Sequence, residues 1–353
     1  MTYGRGEACL APTPTGTAMK LSEIGEEALI ERIVEKNLLP ESGPGLIVGV
    51  GDDAAVLDLG QGMLTIVTTD MLVEGTHFRL DLMTPYQLGW KCVAANISDV
   101  AAMGGVPTWT FVSIGLKPDT DVSFVDTLYR GMTECAGRFG STVVGGDTNA
   151  VERDAVISVS QIGRIEPGRV ALRSGARIGD RLLVTGWLGN SRGGLELLLQ
   201  YGLDRAAQLG GPLVSAHLTP VPRVSEARAA VETDAVRAMM DISDGLAADL
   251  PKMCKASGVG AVVYADKLPI SGDLHSAAEL LKADATDLAA GGGEDFELLI
   301  AAAPEDVGRV TEAVEDRTGS RVTEIGEFAE GPVEIVYPDG TRKPLKGGWE
   351  HFA

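Results

Sequence analysis

Acidic residues beside glycine, serine or threonine recur where apolar, strand-like runs end. The stretches are "GVGDD" (Asp52, Asp53), "VTTD" (Asp70), "NISD" (Asp99), "GGDTN" (Asp147), "DISDG" (Asp241, Asp244) and "GGGEDFE" (Glu294, Asp295). Adjacent carboxylates destabilise a fold unless water, hydrogen bonds or a cation offset their repulsion. The pattern therefore asks for an architecture in which strands deliver acids to loops, where rigid scaffolds display functional groups. An isolated aspartate of this kind reads as a solvated turn or cap. Repetition shifts the reading to an oxygen-only cation site of the type Mg²⁺ prefers, usually one or two carboxylates plus substrate phosphates. Calcium is the rival, but no D-x-[DN]-x-[DN]-G loop occurs.

A chain of 353 residues, 44% hydrophobic, is long enough for two domains with separate cores. Residues 1–19 mix Gly, Pro and Thr without periodicity and read as a loose tail. Leu29, Ile30, Ile33, Val34 and Leu38 recur at helical spacing from Ser22 until Pro40 stops the pattern. Strands follow at 56–59 and 64–69, a long helix at 85–103, a strand over "WTFVSIGL" and a helix around 121–139. Further strands cover "STVVGG" and "AVISVSQIG", so strands and helices mix without strict alternation. That favours mixed sheets with helices on one face over a doubly wound parallel sheet, with a domain boundary near Gly163. "NISDVAA" and "DISDGLAA" echo one another, each with Ser and Asp placed to cap a helix.

Composition excludes several classes. With 50 acidic and 30 basic residues, the net charge of -20 repels nucleic acid and anionic membrane. No stretch approaches the roughly 20 apolar residues needed to cross a bilayer. The four cysteines, Cys9, Cys92, Cys135 and Cys254, form no CxxC pair, which fits a reducing cytoplasm. The four histidines show no metal-ligand spacing, and no Walker A loop or G-x-G-x-x-G is present.

Ordered blocks carry a resemblance: "GDDAAVL", "TTDMLVEGTHF", "NISDVAAMGG", "GGDT", "GRVALRSGARIGD", the "VTG" and "LG" that flank Trp187, "DISDGL" and "GGEDFELL". From about Leu21 to Phe352 the chain resembles the thiamine-monophosphate kinase family of the aminoimidazole ribonucleotide synthetase-like superfamily. The resemblance implies an N-terminal α/β domain over 20–163, whose strands pair with a partner subunit in a homodimer, an α+β domain over 164–353, and ATP bound between the two. It implies direct in-line transfer of the γ-phosphate of ATP to thiamine monophosphate, with several Mg²⁺ ions. Position by position, Asp53, Thr68, Thr69, Asp70, Asp99, Asp147, Asp241 and Asp244 match metal ligands, with Asp52 beside them. Gly146, Asp147, Arg173, Ser243 and Tyr129 match ATP positions, and His77, Glu294 and Trp349 match substrate positions. Asp70, Asp147 and Asp244 are the acids expected to matter most to catalysis. Residue by residue, plainer readings stay open: His77 as a satisfied polar side chain, Arg173 as a surface arginine, Trp349 as an aromatic docked on the core. Three alternatives remain beside the kinase: a selenophosphate synthetase-like enzyme, suggested by Cys9 with Gly4 and Gly6 before it, a metal-dependent phosphohydrolase, and an acidic cation-binding module.

Overall fold

The structure is a computed structural model that describes residues 20–36 and 43–351. The expected tail at 1–19 and the helix stop at Pro40 lie outside the described residues. Helix α1 (Gly25–Glu35) belongs to a small unit of its own with the C-terminal residues from Glu350. It starts later than expected because Gly25, at φ +74°, separates it from a 3-10 turn over Leu21–Glu23.

Residues Glu41–Trp349 form one compact unit built on two sheets. The first sheet comprises β1 (Leu46–Val48), β2 (Ala55–Asp58), β3 (Leu64–Val73), β4 (Val106–Leu116), β5 (Thr142–Ala150) and β6 (Val156–Ile165). Its order is β1-β2-β3-β6-β4-β5, with only β4 and β5 parallel, so the sheet is mixed as the sequence predicts. Helices α2 (Pro85–Ala102) and α3 (Val122–Arg138) pack on it. A capping box fixes the start of α2: Gln87 N–H donates to Thr84 Oγ1, the Gln87 side chain accepts from Thr84 N–H, and Pro85 occupies the first turn. The two helices touch backbone to backbone. A Cβ on Gly89 would lie 2.0 Å from Leu128 O, and one on Gly131 would lie 2.0 Å from Tyr86 O.

Strand β3 alternates faces. Leu64, Ile66, Thr68 and Leu72 are buried toward the helices, whereas Thr69 and Met71 are exposed on the other side. Trp109 and Phe111 of β4 continue that open face, at 53% and 40% exposure.

The second sheet takes β7 (Arg181–Thr185), β8 (Val236–Asp241), β9 (Gly260–Tyr264), β10 (Leu298–Ala302), β11 (Val322–Ala329), β12 (Val333–Val336) and β13 (Arg342–Pro344), in the order β13-β12-β9-β11-β7-β10-β8. Only β12 and β9 run parallel. Helices α4 (Asn190–Tyr201), α5 (Leu203–Leu218), α6 (Val224–Val231), α7 (Leu246–Ser257), α8 (Gly272–Leu281), α9 (Ala285–Gly291) and α10 (Val307–Thr318) accompany it. One contiguous apolar core joins α2, β4 and β6 of the first sheet to β7, β8 and β10 of the second. A buried polar link crosses the same boundary, where Ser98 Oγ of α2 donates to Asp241 Oδ2 at the end of β8, 2.5 Å away.

Candidate active site

The acids reach one region from four kinds of element. Asp53 precedes β2, Asp70 lies inside β3, Asp99 lies in the last turn of α2, and Asp241 ends β8. Asp244 follows in the loop that opens α7. Only Asp241 sits where a strand delivers its final side chain. The expectation that every acid does so fails because β3 continues past Thr69 to Val73, fully paired with β6. Ser98 and Asp99 are not caps either; they sit within α2, with Ser98 buried.

Each acid has its own partner. Arg173 Nε and Nη2 donate to Asp53 Oδ1 at 3.0 and 2.5 Å, and the Asp53 carboxylate is fully buried. Arg173 N–H also donates to both oxygens of Asp52. Thr68 Oγ1 donates to Asp99 Oδ2 at 2.5 Å. Lys252 Nζ lies 2.6 Å from Asp244 Oδ2 and 2.8 Å from Asp249 Oδ1. Asp70 N–H is held by Asn96 Oδ1 at 3.1 Å.

Their titration shows how closely they crowd. Burial and then the Asp53 charge push the Asp52 carboxyl up to about 6. Burial and then Asp244 push Asp70 up to about 6. Burial, with Asp70 and Asp241 adding to it, raises Asp99 well above the ordinary range; burial and then Asp53 do the same to Asp241. Burial raises Asp53 as well, against the pull of Arg173. Asp53, Asp70, Asp99, Asp241 and Asp244 therefore share one field spanning both sheets.

Among the described residues, no three His, Cys, Asp or Glu side chains form a ready-made metal cage. The donor set nonetheless fits a hard divalent cation. It is all oxygen, and Asp53 Oδ2 is a buried carboxylate oxygen with no hydrogen-bond partner, a costly state that a cation would relieve.

Three predicted residues stand apart from this group. Thr69 Oγ1 bonds Val159 O and Ser160 Oγ on the open face of the sheet, because alternation turns it away from Thr68. Asp147 is exposed on the edge strand β5, in a cross-strand row with Ser113, Ser158 and Met71, and bonds its own neighbours Thr148 N–H and Asn149 Nδ2. Tyr129 packs half-buried against the core from α3. Gly146 is sterically required: a Cβ there would fall 1.6 Å from Val112 O.

The loop over 291–297 lies against the one over 241–246. Glu294 N–H donates to Ser243 O at 2.6 Å and Phe296 N–H to Ile242 O at 3.0 Å. Glu294 and Phe296 take φ of +63° and +50°, uncommon for residues with side chains. The three acids here have different tasks. Glu294 accepts from Lys91 Nζ at 2.8 Å, and Asp295 caps α4 through the N–H groups of Gly189 and Ser191. Glu297 is buried and paired with both Arg223 and Thr185. A cleft of about 580 Å³ lined by Trp90, Trp187, Arg223, Asp295 and Glu297 includes none of the predicted site residues. His77 Nδ1 accepts from Val73 N–H at 3.0 Å. Trp349 N–H donates to Asp244 O at 2.9 Å, so its backbone is tied to the loop of Asp244, and the residue is half-exposed.

Sequence reasoning passed over Lys91, Asn96, Asp249 and Lys252. Lys91 had a legible signal, since Asp99 is the only other charged residue in the whole of α2.

Comparison with known proteins decides the family. The model of the AIR synthase related protein N-terminal domain matches residues 51–165, and that of the C-terminal domain matches 177–338. The thiamine-monophosphate kinase of Aquifex aeolicus is 36% identical over 95% of this chain and 100% of its own length. The chain belongs to the thiamine-monophosphate kinase family. The kinase of Mycobacterium tuberculosis is 38% identical over 94% of this chain and 93% of its own. A solved family structure, described as AaThiL complexed with AMPPCP and TMP, superposes with a TM-score of 0.81 at 35% identity, covering 95% of this chain and all of that one.

Proposed function

We propose that the chain transfers the γ-phosphoryl group of ATP to the phosphate of thiamine monophosphate, giving ADP and thiamine diphosphate. One observation carries this reading: Asp53, Asp70, Asp99, Asp241 and Asp244 crowd into one field from both halves of a chain whose full-length relative was solved with AMPPCP and TMP. The acceptor is a phosphate monoester with a second pKa of about 6, already largely ionised at neutral pH, so no strong general base is needed. The barrier is repulsion between two anions, and alignment of donor and acceptor.

Asp53, Asp70, Asp99, Asp241, Asp244 and Thr68 would hold Mg²⁺, which when bound supplies positive charge between the two phosphate groups. The remaining work falls to the chain itself. Arg173, now clasping Asp53, carries a planar fork of donors suited to phosphate. Ser243 and Gly146 belong to the ATP side, and His77, Glu294 and Trp349 to the substrate side. Asp147 and Tyr129 stay on the nucleotide side as proposals that this arrangement supports less. The nucleotide-binding half is 20–163 and the second half 164–353. A homodimer is supported by the apolar open face of the first sheet, where Met71, Trp109, Phe111 and Val144 are exposed beside the edge strand β5. A cytoplasmic setting is supported by three buried free thiols, Cys92, Cys135 and Cys254. Among the described residues no helix is long and apolar enough to cross a membrane.

A coupled assay tests the reading. ADP should form only with thiamine monophosphate and Mg²⁺ both present, with thiamine diphosphate as product and free thiamine inert. Phosphate release without thiamine monophosphate would instead make the protein a phosphohydrolase. Within the same assay, Thr69→Val should stay near wild type, because its hydroxyl faces away from the acids. Thr68→Val should lower kcat about tenfold or more, the usual cost of removing a hydrogen bond to a charged group.

A further inference from the structure

Lys91 has no part in the acid cluster, yet its side chain is only 1% exposed. Its ammonium donates to Glu294 Oε2 at 2.8 Å and stands 3.3 Å from His217 Nε2. Burial, and then Lys91 itself, push the His217 imidazole down to about 3, so the ring is neutral. An ammonium can only donate, so Nε2 accepts and the ring proton sits on Nδ1. That nitrogen lies 3.1 Å from Ser191 Oγ and 3.4 Å from Glu294 Oε2. Burial, the largest single influence, would raise the Glu294 carboxyl, but its surroundings together, Lys91 foremost among them, keep the group below its ordinary value.

All of these contacts arrive at Oε2. Among the described residues nothing donates to Oε1, and the Glu294 side chain keeps 33% of its exposure. The backbone beneath it is fixed by the 2.6 Å bond to Ser243 O. A cation drawn to this carboxylate meets an ammonium directly behind it, which cancels most of a simple charge attraction. What survives is direction: one ionised oxygen, immobile, able to accept and never to donate. The organic part of thiamine monophosphate carries a single kind of N–H donor, the exocyclic amine of its pyrimidine.

We propose that Lys91 is a positioning residue that locks Glu294 so that its Oε1 accepts from the exocyclic amine of the substrate, making the site selective for an aminopyrimidine over its oxo counterpart. The inference rests on the function proposed above. It concerns how the substrate ring is chosen and leaves the phosphoryl transfer itself untouched.

The test compares thiamine monophosphate with its 4-oxo analogue, in which a carbonyl oxygen would face Oε1. Wild type should favour the amine by about 10²-fold or more in kcat/KM, since a site built to accept a hydrogen bond rejects a ligand that cannot give one. Lys91→Met should cut that ratio at least tenfold through the KM for the natural substrate, with kcat changed far less. Glu294→Gln, whose amide can turn to donate to the carbonyl, should cut it as well, and adding Lys91→Met to it should bring no further loss. Thermal melts establish that each variant folds, and if Lys91→Met does not, the Glu294→Gln ratio decides alone. A wild-type ratio near one, or an unchanged ratio in the folded variants with thiamine monophosphate turnover intact, overturns the inference. Failure of wild type to phosphorylate thiamine monophosphate overturns the proposed function, and the inference with it.

Discussion

Asp70→Asn should lower kcat about 10³-fold, a loss of roughly 4 kcal/mol in transition-state stabilisation, while the protein stays folded. Asp70 projects from the middle of β3 on the face covered by α2, beside Thr68 and Asp99, with its N–H pinned by Asn96. Its carboxyl is pushed up by burial and by Asp244 from the other half of the chain, so in the absence of cations it strains the fold. Removing that charge should leave the metal-free melting temperature unchanged or raised. A drop in kcat together with a steady or higher Tm separates a residue that serves chemistry from one that holds structure. Near wild-type kcat in Asp70→Asn would place the reaction elsewhere.

In chelator, the protein should melt at a higher temperature at pH 5 than at pH 7.5, the reverse of ordinary acid denaturation. Asp52, Asp70 and Asp249 are each raised from 3.8 to about 6, Asp295 to about 7, and burial is the leading cause in all four. The folded chain therefore keeps protons that the unfolded chain has released, and stability falls as pH rises through that window. His217 works the other way, since burial holds it neutral and folding is penalised below its ordinary value of 6.5. The carboxyls outnumber it. A shift of about two units on one carboxyl is worth roughly 3 kcal/mol, so even with mutual coupling a difference of about 5 °C or more is expected. Mg²⁺ with an ATP analogue should abolish the difference at pH 7.5. Scanning calorimetry in EDTA checks this, and a melting temperature equal or higher at pH 7.5 would contradict it.

Much of this was legible because glycine and aspartate leave strong local marks. Asp53, Asp241 and Asp244 stand out beside glycines or at the end of an apolar strand, and the helical stretch from Pro85 is α2. The mixed sheets could be expected from strands and helices that fail to alternate. Other features depend on distance in space. "TTD" reads as the end of a strand, yet β6 pairs with β3 through all three residues, and pleating then sends Thr68 and Thr69 to opposite faces. Nothing local distinguishes Asp147, exposed at a sheet edge, from Asp70, half-buried under a helix. Lys252 acquires meaning only once Asp244 is brought to it, and Lys91, though conspicuous as a charge in an apolar helix, finds its partner Glu294 only in the fold.

Mg²⁺ binding measured calorimetrically, with a non-hydrolysable ATP analogue present, tests most directly whether acids from the two halves grip the same cations. Asp99→Asn in α2 and Asp241→Asn in β8 should each weaken the affinity at least tenfold, and the double variant should bind scarcely worse than the poorer single, as expected for groups that act as one unit. Wild-type affinity in both single variants would contradict a shared site, and with it the account of how this chain lets one phosphate approach another.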